Sequence, residues 1–591
     1  MSNNRISGID RDVSGHYENE CSSGSICPNL HEAWISLFFD GTGNNRYQDA
    51  PRGTLSNIAK LYLAHKDEAA DGIEREYFIG VGTRYDEFCP YTWVRDSMAF
   101  GGGFGAGGKA RIDDALNRLS EFFERHINVS NRNVALFGFS RGAALARYMA
   151  YLLVHHGVKV DGHRTPLRAG KDFTIRFLGI FDTVGSFYFP GTDFSPSYDF
   201  DIPKEVQKVV HFVAAHERRS KFDLQSIRNK SDQSLPPNWV ERIYPGMHSD
   251  VGGGYAPHEQ GRDGDLAKII LKDMYDEAVK DKVRVPFHSW EYLSEIYSQY
   301  EPEYVPWFEK NDELKKTAFE FLYQPSPGAE EKLKKALEQY RQLVTESSDL
   351  TASLHNHERL YYRWLKHCID RGSWPKAVHD SYRSDEEALL AEVEALRARV
   401  NQIRRDQIMM EMKRNRSVRS RVPEKSSGEI RQEVELWVRE TDEYKKLEGL
   451  EGKLKRLTDR IKTVKGSIEK VDHAFLQLKQ EYDRLQWLVY YHENNQYASW
   501  PPPSGVTIGN DNLHSRTEGF QIRPLSNRER QIYQWMNEPP LPDSVIQMFD
   551  QWIHDSVAHT PDPLGDSYFA ARDIFYQKDG PWQESLQVVS A

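Results

Sequence analysis

The stretch Val134-Ala-Leu-Phe-Gly-Phe-Ser-Arg-Gly-Ala-Ala-Leu-Ala146 decides how this chain is read. Val134 to Phe137 make a short apolar strand, and Ala143-Ala-Leu-Ala146 opens a helix of small residues. Between them stands Gly138-Phe-Ser-Arg-Gly142, a G-x-S-x-G turn with a strand before it and a helix after it. Such a turn strains the serine backbone and lifts the hydroxyl out of the carboxyl end of a sheet. Gly138 and Gly142 are required where strand and helix pass too closely for a β-carbon. The amide of Arg141 then faces the place where an attacked carbonyl gathers negative charge. Ser140 is the candidate nucleophile.

Outward from this turn the chain alternates strands and helices. Trp34 to Phe39 reads as a buried strand that runs into Asp40-Gly-Thr-Gly-Asn-Asn45, a first βα loop. Thr54 to His65 has helical spacing, and Glu76 to Val81 is a further strand candidate. Gly101 to Gly108 reads as a glycine-rich loop before an amphipathic helix through Ile112, Leu119 and Phe123. Downstream, the strand Thr174 to Phe181 ends in Asp182-Thr-Val-Gly-Ser186. The spacing of Val206, Val209, Val210 and Val213 predicts a helix. Arg242 to Met247 leads into His248-Ser-Asp-Val-Gly-Gly-Gly-Tyr255. The pattern predicts an α/β fold with a mostly parallel sheet over residues 33–290, after a polar, flexible arm over 1–32.

Past residue 290 the pattern becomes helical, over 291–500. Ser384-Asp-Glu-Glu387 is a capping-box pattern opening a helix through Leu389, Val393, Leu396, Val400 and Ile403. From Leu447 to Leu485 apolar residues alternate at threes and fours, a coiled-coil seam. Lys413, Arg414, Arg416, Arg419, Arg421 and Lys425 fall between the two, so the expectation is an antiparallel hairpin, about 384–490, with a cationic turn at its tip. Trp500-Pro-Pro-Pro ends it, and the aromatic-rich segment 501–591 is expected to pack back on the α/β body.

The bulk numbers bound the chemistry. A chain of 591 residues is expected to form two or three domains. A net charge of −11 argues against a nucleic-acid partner. Cys21, Cys27, Cys89 and Cys368 make no disulfide framework and fit no zinc spacing, which points to a reducing compartment. The polar start carries no secretory signal, and no apolar run is long enough for a membrane span. Neither H-E-x-x-H nor C-x-x-C occurs, so no metal is implied, and no cofactor is expected. Gly103-Phe-Gly-Ala-Gly-Gly108-Lys109 begins like a phosphate-binding loop, yet Ala110 stands where a hydroxyl must hold magnesium.

A serine needs a base to take its proton and an acid to orient that base. In an α/β hydrolase these follow the serine in the order acid, then histidine. Asp182 directly follows an apolar strand and is the candidate acid, with Asp201 and Asp250 as rivals. His248, before three glycines, is the candidate base. His554, within Trp552-Ile-His-Asp-Ser556, is its competitor, while His211 and His216 read as structural. The loop Gly41–Thr42 follows the strand position that supplies a second oxyanion amide, beside that of Arg141.

Taken together, FFDGTGNN, GFSRGAA, GIFDTVGSF and GMHSDVGGGY resemble the α/β-hydrolase family that contains phospholipase effectors of the bacterial type VI secretion system. The resemblance covers roughly residues 34–260 and implies a triad of Ser140, Asp182 and His248. It also implies hydrolysis of a fatty-acyl ester of a membrane glycerophospholipid, with antibacterial effect. A protein of this kind is made in the cytoplasm without a signal peptide, loaded on a secretion spike protein, matched by an immunity protein, and active in the target-cell periplasm or membrane. Two alternatives stand beside it: an adaptor or membrane-binding protein working through the hairpin, and a serine esterase on soluble substrates.

Overall fold

The computed structural model describes residues 30–50, 53–83, 104–161, 163–185, 200–219, 222–256, 258–280, 282–293, 323–326, 328–345, 347–421, 425–440, 442–494, 525–559, 568–569 and 571–577. Residues 1–29 of the expected N-terminal arm, Cys21, Cys27, Cys89 and Trp500-Pro-Pro-Pro lie outside the described residues, and Glu32, expected in the arm, already belongs to the first strand. Two compact units emerge, one from residues 1–370 with 481–591 and one from 371–480.

The first unit is built on six parallel strands: β1 (Glu32–Phe39), β2 (Ile73–Phe78), β3 (Asn131–Phe139), β4 (Thr174–Phe181), β5 (Val209–Ala214) and β7 (Trp239–Tyr244). Their order is β2-β1-β3-β4-β5-β7. The central strands are buried along nearly their whole length, so they read as continuous apolar runs rather than alternations. Register places Phe38 of β1 beside Phe137 of β3, and their rings stack at 4.7 Å. Each such fully buried ring contributes roughly 2–3 kcal/mol. β6 (Leu224–Asn229) pairs, also in parallel, with β8 (Ile574–Gln577) from the C-terminal segment.

Four helices flank the sheet in sequence: α1 (Asn57–Ala64), α2 (Phe104–Arg125), α3 (Arg141–His155) and, after the short α4 (His248–Gly252), α5 (Asp265–Val279). The small residues Ala143, Ala144, Ala146 and Ala150 of α3 are fully buried, which lets the helix lie close on the sheet. Two local expectations are corrected here. The run around Val209–Val213 is a strand: both faces of VVHFVA are buried, so burial of every residue mimics helical spacing. The glycines from Gly105 to Gly108 stand inside α2, which begins at Phe104, and do not form a loop.

Further helices of this unit are α6 (Ala329–Leu343) and α7 (Leu350–Arg371). The second unit contains α8 (Lys376–Arg421), α9 (Ser427–Glu440) and most of α10 (Asp442–Asn494). Leu389, Val393 and Leu396 of α8 pack with Leu450, Leu454, Leu457 and Ile461 of α10. The ion pairs His379–Asp472, Lys465–Glu386, Lys453–Glu392 and Arg404–Glu451 run in opposite directions along the two helices, so they are antiparallel. Ser384 does not start a helix, because α8 is continuous from Lys376. Nor is the basic stretch a turn. Lys413 through Arg421 prolong α8, and α9 folds back on it through Val418, Ile430 and Val434.

Two C-terminal helices, α11 (Asn527–Met536) and α12 (Asp543–Trp552), belong with the first unit. Phe549 stacks on Trp364 at 5.4 Å, and Arg359 pairs with Glu538.

Candidate active site

Ser140 sits in the turn between β3 and α3 with φ 58° and ψ −126°, a conformation that costs an L-residue about 1–3 kcal/mol. Its surroundings enforce it. A β-carbon on Gly142 would stand 2.3 Å from the Phe39 carbonyl oxygen, and one on Gly138 2.5 Å from Ala143 Cα. The Ser140 amide donates to the Phe181 carbonyl (3.1 Å), and the Ser140 carbonyl accepts from Val184 N–H (3.3 Å). These two bonds bracket Asp182, which also has positive φ (36°). The Ser140 turn and the Asp182 turn, at the ends of adjacent strands, are therefore tied to one another through the backbone.

His248 opens α4, just beyond β7. Its Nδ1 donates to Asp182 Oδ2 at 2.6 Å. Its ring lies against Phe139, the residue before the serine, at 4.6 Å, and meets the edge of Phe222 at 4.9 Å. Gly252 permits this approach, since a β-carbon there would fall 2.0 Å from the Phe139 ring. The Ser140 hydroxyl donates to no described residue. Burial pushes the His248 imidazole below its ordinary pKa, opposed by the Asp182 carboxylate, so the ring is neutral and able to accept a proton near pH 7.

Asp182 is fully buried, which alone would raise its pKa. Arg572 and then His248 reverse that and hold it well below the usual carboxylate range. Arg572 is bidentate, with Nη1 on Oδ1 and Nη2 on Oδ2, both at 2.8 Å. The Ala214 amide supplies another bond to Oδ1 (2.9 Å). No motif around Arg572 announces this role, and it was missed in the sequence. The only signal was the expectation that the last segment packs back on the body.

The rivals resolve by geometry. Asp182, not Asp201 or Asp250, meets His248. Asp250 instead accepts from His554 Nδ1 at 2.6 Å, and its other oxygen accepts the amides of Met247 (2.9 Å) and His554 (3.1 Å). His554 thus lies against α4, and the ring of Tyr255 stacks on it at 3.8 Å. Glu217 braces the same helix, accepting from His248 N–H (3.3 Å) and from Ser556 Oγ (3.1 Å). His211 accepts at Nε2 from Thr183 N–H (3.2 Å) and donates from Nδ1 to Glu241 (2.9 Å), bracing the turn after Asp182.

Beside Ser140, the 40–45 loop is held by Asp40, which accepts from Ser56 Oγ (2.6 Å), Tyr77 Oη and its neighbour Gly41 N–H (2.7 Å). The Gly41 amide is therefore spent on Asp40, whereas the Thr42 amide meets no described acceptor. Thr42 Oγ1 accepts from Arg141 Nε, which ties this loop to the start of α3. Among the described residues no cluster of His, Cys, Asp and Glu is arranged to hold a metal ion.

A family model described as T6SS, phospholipase effector Tle1-like, catalytic domain, matches residues 34–169 and 159–277. Those residues carry β1 through β7, Ser140, Asp182 and His248. This segment of the chain belongs to the Tle1-like phospholipase effector family. A crystal structure of an uncharacterized protein from Pseudomonas aeruginosa shares the fold, with a TM-score of 0.53 and 20% identity over 93% of this chain and 80% of that one. The Tle1 effector bound to the VgrG spike from the type 6 secretion system aligns with a TM-score of 0.33 and 19% identity, over 53% of this chain and 88% of that one. An uncharacterized protein of Saccharomyces cerevisiae, YEL023C, is 38% identical over 66 residues, so the chain spans about 10% of that relative's length and 11% of its own.

Proposed function

We propose that this Tle1-like chain is a serine phospholipase that hydrolyses a fatty-acyl ester of membrane glycerophospholipids. One observation carries the reading: the 2.6 Å Asp182–His248 pair rests against the strained Ser140 turn. Ser140 Oγ attacks the ester carbonyl while His248 Nε2 takes its proton. Asp182 fixes the tautomer and stabilises the imidazolium, which then returns the proton to the leaving alcohol. The amides of Arg141 and Thr42 receive the oxyanion, each contributing roughly 3–4 kcal/mol. Water releases the fatty acid from Ser140, leaving a lysophospholipid.

The architecture is that of an α/β hydrolase over residues 33–290, with 291–500 carrying a coiled-coil hairpin and 501–591 closing back on the body. The family supports export by type VI secretion on a spike protein, a cognate immunity protein, and action as an antibacterial toxin at the target-cell membrane. The test is incubation of the protein with defined phospholipids, the products being weighed by mass spectrometry. Ser140→Ala should release no lysophospholipid while melting at the wild-type temperature. Undiminished release by that variant would overturn the assignment.

A second reading, membrane docking by the hairpin, has its own observation. Ile408, Met409, Met412 and Leu436 are more than half exposed, and they stand among Lys413, Arg416 and Arg419. Apolar side chains ringed by cations suit an anionic lipid surface. Among the described residues no helix is long and apolar enough to cross a membrane.

A further inference from the structure

Glu217, Arg219 and Phe222 stand on the connection between β5 and β6, outside the candidate triad. Glu217 is fully buried. Burial alone would raise its pKa, but Arg219 brings it down to about 2, so the carboxylate is ionised at neutral pH. It grips the Arg219 guanidinium at two points, Oε1 accepting from Nε (2.9 Å) and Oε2 from Nη2 (2.8 Å). The amides of Arg218 (2.9 Å) and Arg219 (2.8 Å) also donate to Oε1. The oxygen that takes Nη2 is the same one that accepts the His248 amide.

This grip sets the guanidinium over the Phe222 ring, with the guanidinium carbon 3.4 Å from the ring centroid, a cation–π contact. The Phe222 ring in turn stands at 75° to the His248 imidazole, while the Phe139 ring lies against it at 33°. Phe222 is also anchored by its backbone. Its amide donates to the Arg219 carbonyl (3.1 Å), and its carbonyl accepts from Arg572 Nε (2.6 Å). An imidazole held by one hydrogen bond, Nδ1–H to Asp182, would otherwise be free to pivot. Two aromatic rings at such different inclinations leave it little room to do so.

We propose that Phe222 and Arg219 are positioning residues for His248. Glu217 sets the guanidinium, the guanidinium backs the Phe222 ring, and that ring keeps the imidazole in the orientation in which Nδ1 meets Asp182. For its effect on turnover this role rests on the hydrolase reading; for its effect on the ring it does not. Charge enters as well. His248 faces Asp182 with Arg572 behind it, Glu217 and Arg219 from this connection, and the Asp250–His554 pair at its own helix. Burial disfavours the imidazolium and Arg219 adds to that, whereas Asp182 and Glu217 oppose it.

The experiment uses the full chain with Phe222→Leu, Phe222→Tyr and Arg219→Gln, each checked by its melting temperature. Both side chains are only partly buried, so these variants should fold. On a short-chain soluble ester, Phe222→Leu should lower kcat about tenfold or more at nearly unchanged KM, since the base is held in place less of the time. Phe222→Tyr, which keeps a flat ring, should recover most of that loss. Arg219→Gln removes a cation and leaves Glu217 unneutralised, and both changes favour the imidazolium. The pKa of His248, followed by NMR of its ring protons and assigned with His248→Asn, should therefore rise. Wild-type kcat in Phe222→Leu, equal losses in the Leu and Tyr variants, or an unmoved His248 titration in Arg219→Gln overturns the proposal. Should the wild-type protein turn over no ester, the hydrolase reading falls by itself, and the titration still decides whether Arg219 acts on the ring.

Discussion

Asp182 is gripped by more donors than a triad carboxylate requires. Arg572 adds a full positive charge to the carboxylate that, in the proposed mechanism, also stabilises the His248 imidazolium. The cation competes for the same oxygens, so its removal leaves the carboxylate charge to the histidine alone. In Arg572→Met the His248 pKa should therefore rise, moving the acid limb of kcat/KM to higher pH from a wild-type midpoint below the ordinary 6.5. A drop in kcat on the order of 10–100-fold is expected as well, equivalent to about 1.4–2.7 kcal/mol of lost orientation. A purely structural arginine would lower the melting temperature without moving the limb. Asp40 makes the opposite case, because burial lifts its pKa to about 6 despite three donors. A folded pKa above the unfolded 3.8 favours the folded state at low pH and loses that contribution as pH climbs through 6. Asp40→Asn should flatten this part of the urea-unfolding free energy between about pH 4 and 6. The candidates Ser140, Asp182 and His248 could be named from the sequence because each stands at a strand end in a local pattern of glycines and apolar residues. Arg572 was not, since it lies 390 positions from Asp182 and nothing in its neighbourhood depends on that partner.

Among the elements, the turn into α3 is the most tightly specified. Gly142→Ala would drive a β-carbon to 2.3 Å and 2.4 Å from the carbonyl oxygens of Phe39 and Asp40, both backbone and unable to swing aside. It should cost about 3 kcal/mol or more by thermal unfolding and disturb the 40–45 loop with it. The hairpin helices answer a different test. Replacing Ile408, Met409 and Met412 with Asp changes side chains that are more than half exposed, so the melting temperature should hold within a few degrees. Vesicle binding should fall severalfold on anionic lipid, while hydrolysis of a soluble ester continues. Unchanged vesicle binding would leave the tip without a membrane role. Periodicity served the amphipathic helices well because one face is wet. It misled at Val209–Ala214, where burial on both faces erases the alternation that distinguishes a strand. The capping-box pattern misled at Ser384, which lies inside a continuous helix whose packing outweighs a local start signal.

For the molecule as a whole, the C-terminal segment is a working part of the first unit. β8 pairs with β6, Gln577 is bonded to Ile202 and Ile227, and Arg572 reaches Asp182. A chain ending at residue 570 should lose ester hydrolysis at least as far as Arg572→Met does, measured on a soluble ester so that membrane docking does not enter. The sequence by itself determined the parallel α/β order, the strand–turn–helix around Ser140, the placing of the candidates Asp182 and His248 after strands, and the apolar seam of the long helices. These are written in neighbouring residues, because strand, turn and helix preferences act over a few positions. Tertiary structure alone decided that Asp250 belongs to His554, that Gly41 spends its amide on Asp40, and that an arginine near the far end clamps the candidate acid. Each of those depends on which buried donor finds which acceptor once the chain is closed, and burial, not spacing, makes that choice compulsory.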